Sequence, residues 1–229
     1  MILSHRHRFV YIKTHKTASS SIEAALSSVC GPQDVITPTR PALLAARQGL
    51  PPQNYRLSHP LVPKRPLLRR WLGRPERLSH PSVGFYEHMP AWRVRRYVGE
   101  EIWATYLKFS FDRNPWDRQV SWYFFKCKEK GKNKSFEAFL ARKRRAYVEN
   151  YDLYSESGEI ILDFVGRYES LNEDFECILE RLGLAGRVDL PRLNVSQRER
   201  DYRHFYNDST RALVGDWYRR EIEHFGYAF

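Results

Sequence analysis

Apolar positions along the chain fall into short blocks with two different spacings. Residues Arg8 to Lys13 form a β-branched and aromatic block of strand length. A hydroxyl-rich stretch, Thr14 to Ser21, follows, and Ile22-Glu23-Ala24-Ala25-Leu26 then opens a helix. Val83-Gly84-Phe85-Tyr86 reads as a short strand, and Pro90 to Val98 as a helix with proline in its first turn. Ile102 to Phe111 alternates apolar and polar residues, the pattern of a second buried strand. It runs into Asp112-Arg113-Asn114-Pro115, after which Trp116, Val120, Tyr123, Phe124 and Cys127 make one helical stripe. Ser135 to Val148 is expected as a basic helix and Ile160 to Arg167 as a further strand. Ser170 and Glu173 have the spacing of a capping box, for a helix that buries Leu171, Phe175, Ile178, Leu179 and Leu182. A last amphipathic helix is expected over Ser209 to His224, with Leu213, Val214, Trp217, Tyr218 and Ile222 inward. Strands alternating with helices predict an α/β fold: a parallel sheet flanked by helices on both faces, with ligands gathered where strands end and helices begin.

At 229 residues the chain suits a single domain with one core. Residues 31–81 hold ten of the thirteen prolines and Pro-basic pairs such as Pro63-Lys64-Arg65-Pro66. This stretch is expected to be an irregular insertion with one short helix at Pro41 to Gln48. No apolar run approaches 18 residues, which predicts no membrane span. Phe9-Val10-Tyr11-Ile12 is too short for a signal-peptide core, so the chain is expected to start inside its fold and to reside in the cytoplasm. Cys30, Cys127 and Cys177 are odd in number and widely spaced, which fits a reducing compartment better than a disulfide framework or a zinc site.

A formal charge of +11 changes the picture, because it predicts an anionic partner. The junction Lys13-Thr14-His15-Lys16-Thr17-Ala18-Ser19-Ser20-Ser21 is a loop of small residues opening a helix. Free backbone N–H groups at the positive end of a helix dipole make an anion cradle, and Lys16 can reach a phosphate or sulfate oxygen. Read alone, the same residues fit a plain helix start capped by Ser20 and Glu23. In the second junction, Arg113 ends a strand and Ser121 lies eight residues on, so both can hold one phosphate. Read alone, this arginine fits a surface pair with Asp112 or Asp117.

Taken together, the two junctions resemble the sulfotransferase superfamily, specifically the branch with carbohydrate sulfotransferases and heparan sulfate 2-O-sulfotransferases, over nearly the whole chain. Lys16-Thr17-Ala18-Ser19-Ser20-Ser21 looks like the family's 5′-phosphosulfate loop. Arg113-Asn114-Pro115-Trp116-Asp117-Arg118-Gln119-Val120-Ser121-Trp122-Tyr123 looks like its 3′-phosphate motif, R-N-P-x-x-R-x-x-S-x-Y. Arg167-Tyr168-Glu169-Ser170-Leu171, Leu190-Pro191-Arg192-Leu193-Asn194-Val195-Ser196 and the closing Phe225-Gly226-Tyr227-Ala228-Phe229 are similar to members as well. The resemblance implies a P-loop-like sheet, 3′-phosphoadenosine 5′-phosphosulfate (PAPS) as donor with product PAP, no metal, and a hydroxylated acceptor, a glycan or glycoconjugate. It gives Lys16 the sulfuryl or bridging oxygens and Arg113 and Ser121 the 3′-phosphate, with Thr17, Ala18, Ser19, Ser20 and Ser21 lining the loop. Asp112 stands where many relatives carry an apolar residue, and it is expected to pair with Arg113.

Transfer to an alcohol needs a proton acceptor. His88, at another strand-to-helix end in Tyr86-Glu87-His88-Met89-Pro90, is the first candidate, in a context comparable to relatives with a histidine base. Glu87 is the reserve, and His15, inside the donor loop, is placed to touch the sulfuryl group. Ser196 and Arg198, with Arg200, are expected to close over the nucleotide. Lys64, Arg65, Arg69, Arg70 and Arg142 to Arg145 are left as a solvated face or a means of steering an anionic glycan.

Other classes fit less well. A nucleotide kinase needs G-x-x-x-x-G-K-[ST], whereas no glycine lies between Arg8 and Cys30. A nucleic-acid-binding protein is disfavoured because the basic residues are dispersed and no zinc-finger or RNP pattern occurs. A member that binds nucleotide without turnover is expected only if His88 and Glu87 both lie far from Lys16.

Overall fold

The computed structural model describes residues 1–39, 44, 51–56, 84–128, 134–191 and 201–229. Strand β1 (Ile2–Ser4) pairs antiparallel with β2 (Phe9–Tyr11) and with β3 (Val35–Ile36). On the other side of β2 lie β4 (Leu107–Asp112) and β7 (Phe164–Arg167), each parallel to its neighbour. The order is β3-β1-β2-β4-β7, so the sheet is mixed, not wholly parallel as expected. The departure has a local cause, because the tight turn after Ser4 returns the chain beside its own first strand, and a turn that short can only join antiparallel strands.

Period-two alternation sends side chains to two cores. Ile2, Phe9, Tyr11, Phe109 and Phe111 pack on one face against helix α1 (Ser19–Ser27) and helix α7 (Leu171–Arg181). Leu3, Val10, Ile12 and Val35 pack on the other, against Phe85, Met89 and helix α2 (Ala91–Thr105). A third core joins helix α3 (Pro115–Tyr123) and the π-helix Phe124–Lys128 to α4 (Phe136–Leu140), α5 (Lys143–Ala146), α6 (Tyr151–Tyr154), α8 (Asp208–Trp217) and α9 (Arg219–Phe225).

Several elements differ from the sequence pattern, each for a visible reason. Residues 84–86 form bends instead of a strand, with Gly84 at φ 102 and one ladder-like bond, Phe85 N–H to the Tyr55 carbonyl at 2.9 Å. Helix α2 continues to Thr105, past a break at Gly99, because Val94, Val98 and Ile102 repeat every four residues onto the sheet. The strand expected from Ile102 therefore begins at Leu107. The basic stretch 135–148 divides into α4 and α5, while Ile160 belongs to a small hairpin, β5 (Ser155–Glu156) with β6 (Glu159–Ile160). Ser170 donates instead to Asp174, so no capping box forms with Glu173; the box occurs at Asn207 and Thr210. The last helix breaks at Tyr218, which is fully buried and whose hydroxyl bonds Gln119 and the Val148 N–H. The expected helix at 41–48 lies, apart from Leu44, outside the described residues. The three cysteines form no disulfide with one another, and no described helix is long and apolar enough to cross a membrane.

Gly166 on β7 lies opposite Phe111, and a Cβ there would come within 2.6 Å of the Phe111 ring. Both rings that would have to move, Phe111 and Phe164, belong to the first core. Gly166→Ala is expected to lower unfolding free energy by about 1–3 kcal/mol, read from the midpoint of urea denaturation; an unchanged midpoint would contradict this packing.

Candidate active site

The three parallel strands β2, β4 and β7 end on the same edge of the sheet, and each end delivers one part of the site. After β2, residues 12–18 form the loop into α1. Ile12 N–H donates to the Phe109 carbonyl at 2.9 Å, the Ser110 hydroxyl to the Ile12 carbonyl at 2.8 Å, and Thr14 Oγ1 to the Phe111 carbonyl. These bonds fix the loop to β4. Lys16 and Ala18 then adopt left-handed backbone at φ 61 and φ 56, strained for non-glycine residues.

Helix α1 begins without any side-chain cap. The alternative reading of Ser20 and Glu23 as caps does not hold, because Glu23 is buried and bonded to the Lys13 ammonium at 2.6 Å and to the Met1 ammonium at 2.8 Å. The first return bonds of the helix run from Ser21 and Ile22 N–H to the Ala18 carbonyl. The N–H groups of Thr17, Ala18, Ser19 and Ser20 consequently donate to no acceptor among the described residues. Four such donors at a helix N-terminus fit a doubly charged phosphate or a phosphosulfate.

After β4, Arg113 reaches back across the loop. Its NH1 donates to the Lys16 carbonyl at 2.9 Å, while Nε and NH2 donate to Asp117 Oδ2 at 2.9 and 2.6 Å. The guanidinium lies 3.7 Å from the centre of the Tyr168 ring, which follows β7. Three of its five N–H groups are thus engaged, and two are left for an anion. Ser121 lies two turns along α3, and its hydroxyl has no hydrogen-bond partner among the described residues.

The expected pair of Asp112 with Arg113 is not formed. Asp112 is fully buried and accepts from Arg118 at 2.7 Å, Tyr154 at 2.9 Å and Asn150 at 3.2 Å. Arg118, also fully buried, donates in addition to Glu221 at 2.7 Å, and the two carboxylates hold its guanidinium charged against the cost of burial. Arg113 is therefore left to Asp117 and the donor loop.

His88 and Glu87 both lie beside the loop that carries Lys16. Glu87 accepts from the Lys13 ammonium at 2.6 Å and from Thr39 at 3.2 Å. His88, at φ 57, places Nδ1 3.0 Å from the Lys13 carbonyl. A carbonyl can only accept, so Nδ1 carries the proton and Nε2 holds the lone pair. The His88 ring stacks on His15 with centroids 3.7 Å apart and planes 23° apart. Burial, and next the Lys13 ammonium, push His88 down to about 3. Burial and then His88 itself hold His15 well below the usual histidine range. Lys16 lies with Nζ 4.6 Å from the centre of the Phe125 ring, on the π-helix that ends α3.

Sequence reasoning brought Lys16, Thr17, Ala18, Ser19, Ser20, Ser21, Glu87, His88, Arg113 and Ser121 to this edge, and they lie on it. Ser196, Arg198 and Arg200 fall outside the described residues, as do Lys64, Arg65, Arg69 and Arg70; Arg142 and Arg144 are exposed. The Arg113–Asp117 pair weighed from the sequence does form, whereas Lys13, Asn150 and Tyr168 were missed. Lys13 and Tyr168 stood next to motif residues and carried a positional signal, whereas nothing in the local sequence marked Asn150.

A profile of the sulfotransferase family matches residues 1–228, and the chain belongs to that family. A protein of Archaeoglobus fulgidus, described as an uncharacterized protein, is 36% identical over 112 residues, covering 47% of this chain and 92% of that protein. Family membership carries sulfuryl transfer in general, from a donor to a hydroxylated acceptor.

Because folded His88 stays neutral down to about pH 3 while an unfolded histidine protonates near 6.5, its contribution to stability is complete above about pH 6.5 and is lost as pH falls toward 3. Between pH 7 and 5, wild type is expected to lose on the order of 2 kcal/mol more unfolding free energy than His88→Gln, by urea denaturation at each pH. Equal losses would contradict a neutral His88.

Proposed function

We propose that this protein transfers the sulfuryl group of PAPS to a carbohydrate hydroxyl, in the manner of the carbohydrate and heparan sulfate 2-O-sulfotransferase branch. The observation that supports the reading is the bond from the Arg113 guanidinium to the Lys16 carbonyl at 2.9 Å, which brings the two motifs together. One ligand bearing two separate phosphates matches that arrangement better than a single anion does.

Residues fit the donor on their own chemistry. The uncapped N–H groups of Thr17, Ala18, Ser19 and Ser20 would hold the 5′-phosphosulfate, with the Ser19, Ser20 and Ser21 hydroxyls as added donors. The two remaining Arg113 N–H groups and the Ser121 hydroxyl would hold the 3′-phosphate. Bound there, PAPS supplies an activated sulfuryl group whose departure leaves charge on the 5′-phosphate. Lys16 provides the cation at that end, and a cation sited where charge grows favours the transition state over the ground state.

His88 is the proton acceptor in this reading. Its Nε2 lone pair is set free by the bond of Nδ1–H to the Lys13 carbonyl, and it takes the proton from the acceptor hydroxyl. Glu87 is the weaker candidate, since its carboxylate is already bonded to an ammonium and a hydroxyl. Its negative charge, 3.9 Å from His88 Nε2, instead stabilises the imidazolium that forms.

Purified protein should gain several degrees of melting temperature from PAP without magnesium and much less from ATP with magnesium. Equal shifts would overturn the donor assignment. Lys16→Ala is expected to lower transfer from PAPS by about 100-fold or more while keeping most of the PAP shift. Arg113→Lys keeps the charge but loses the planar fork, and should weaken PAP binding by about tenfold or more, by titration calorimetry.

A further inference from the structure

We propose that His15 is a positioning residue for His88: its ring is the platform against which the His88 imidazole is held with Nε2 toward the acceptor. The inference rests on the reading of His88 as proton acceptor. It gives a role to a side chain that the two anion-binding motifs leave unexplained.

Three observations carry it. First, the backbone of His15 is clamped by one amide side chain. Its N–H donates to Asn150 Oδ1 at 2.8 Å, and its carbonyl accepts from Asn150 Nδ2 at 3.1 Å. Asn150 is fully buried and is itself held by Asp112, the carboxylate fixed by Arg118 and Tyr154. The peptide of a loop residue is thereby tied to the centre of the molecule. Second, the His15 ring packs against two others, stacked on His88 at 3.7 Å and tilted against Trp122 at 5.9 Å and 57°. Two ring contacts restrict its rotation. Third, His88 is fixed at only one nitrogen, by the Lys13 carbonyl, and one hydrogen bond leaves an imidazole able to swing about it. The His15 face removes that freedom.

The same stack helps once the proton has moved. In the assigned transfer the acceptor O–H bond would break with its electron pair staying on oxygen to bond sulfur, the bond from sulfur to the bridging phosphate oxygen would break with its pair leaving on PAP, and the proton would go to the His88 Nε2 lone pair. His88 is then an imidazolium lying on a neutral aromatic face, an arrangement favourable for a cation. His15 remains neutral because burial, and next the charge on His88, hold it well below the usual histidine range. The charged groups acting on His88 are Lys13, Glu87, Glu23 and the Met1 ammonium; those acting on His15 are Arg118, Glu87 and Lys13.

The test compares His15→Ala with His15→Phe, which restores a flat face without ring nitrogens. In wild type at pH 7, nitrogen NMR of the histidine rings should show His88 with a protonated Nδ1 and an unprotonated Nε2. In H15A those signals should move toward an average of the two tautomers, and kcat should fall about tenfold or more with the donor KM within about twofold. H15F should restore the His88 signals and recover most of the lost kcat. Should H15A fail to fold, His15→Leu, which fills the volume without an aromatic face, replaces it. Unchanged His88 signals and kcat in H15A would overturn the proposal. So would an H15F protein with restored His88 signals but a kcat as low as that of H15A, since His15's own nitrogens would then be doing chemistry. If wild type transferred nothing from PAPS, the assigned function would fail, while the ring signals of the variants would still decide whether His15 holds His88.

Discussion

A carboxylate with no access to water must find its full set of partners inside the protein, and the site is organised around one that does. Asp112, at the end of the central strand, accepts from Arg118, Tyr154 and Asn150. Arg118 passes the constraint on to Glu221 near the C-terminus and lies 4.5 Å from the centre of the Tyr218 ring. Asn150 passes it the other way, to the backbone of His15. Removing any member leaves charges or amides buried without partners, which costs more than the intact network contributes. Such a network is a weak source of stability but a strict source of geometry. It ties the donor loop, the strand carrying Arg113 and the C-terminal helices to a single arrangement.

The same accounting separates structural cations from those available for a ligand. Lys13 is neutralised between Glu23 and Glu87, and Arg118 between Asp112 and Glu221. Arg113 shares its charge with Asp117 but keeps two N–H groups unspent. Lys16 lies with Nζ over the Phe125 ring. The loop ahead of α1 adds donors without charge, because its helix has no cap and its left-handed residues keep the N–H groups from folding back into the chain. Other cations, such as Arg142 and Arg144, are exposed.

The outer elements of the fold close on this centre through aromatic packing. Asn114 caps α3 by accepting from the Trp116 N–H, and its amide donates to the Ala228 carbonyl at 2.8 Å. Phe229 packs edge-on against Trp116 at 5.6 Å, and Tyr206 donates to the Trp116 carbonyl. The closing Phe-Gly-Tyr-Ala-Phe segment is thus packed on the helix that follows Arg113, which explains physically why a tail so far along the chain accompanies the Arg113 segment.

The sequence by itself determined the strand-loop-helix at Lys16, the strand-turn-helix at Arg113 and the apolar stripes of α3 and α7, because each depends on residues close together in the chain: periodicity, hydroxyl content and proline at a first turn. It also put His88 near the same edge, through its place before a helix, although the strand expected ahead of it is a bend. Tertiary structure decided everything that turns on which groups meet across long sequence separations. It made the sheet mixed, turned Asp112 from Arg113 toward Arg118, withdrew Glu23 and Glu87 into ion pairs with Lys13, and recruited Asn150, 135 residues beyond His15, to hold the loop. Local patterns carry propensity and spacing. The partner chosen by a buried charge or amide depends on the whole set of groups competing for it, and that competition exists only once the chain has folded.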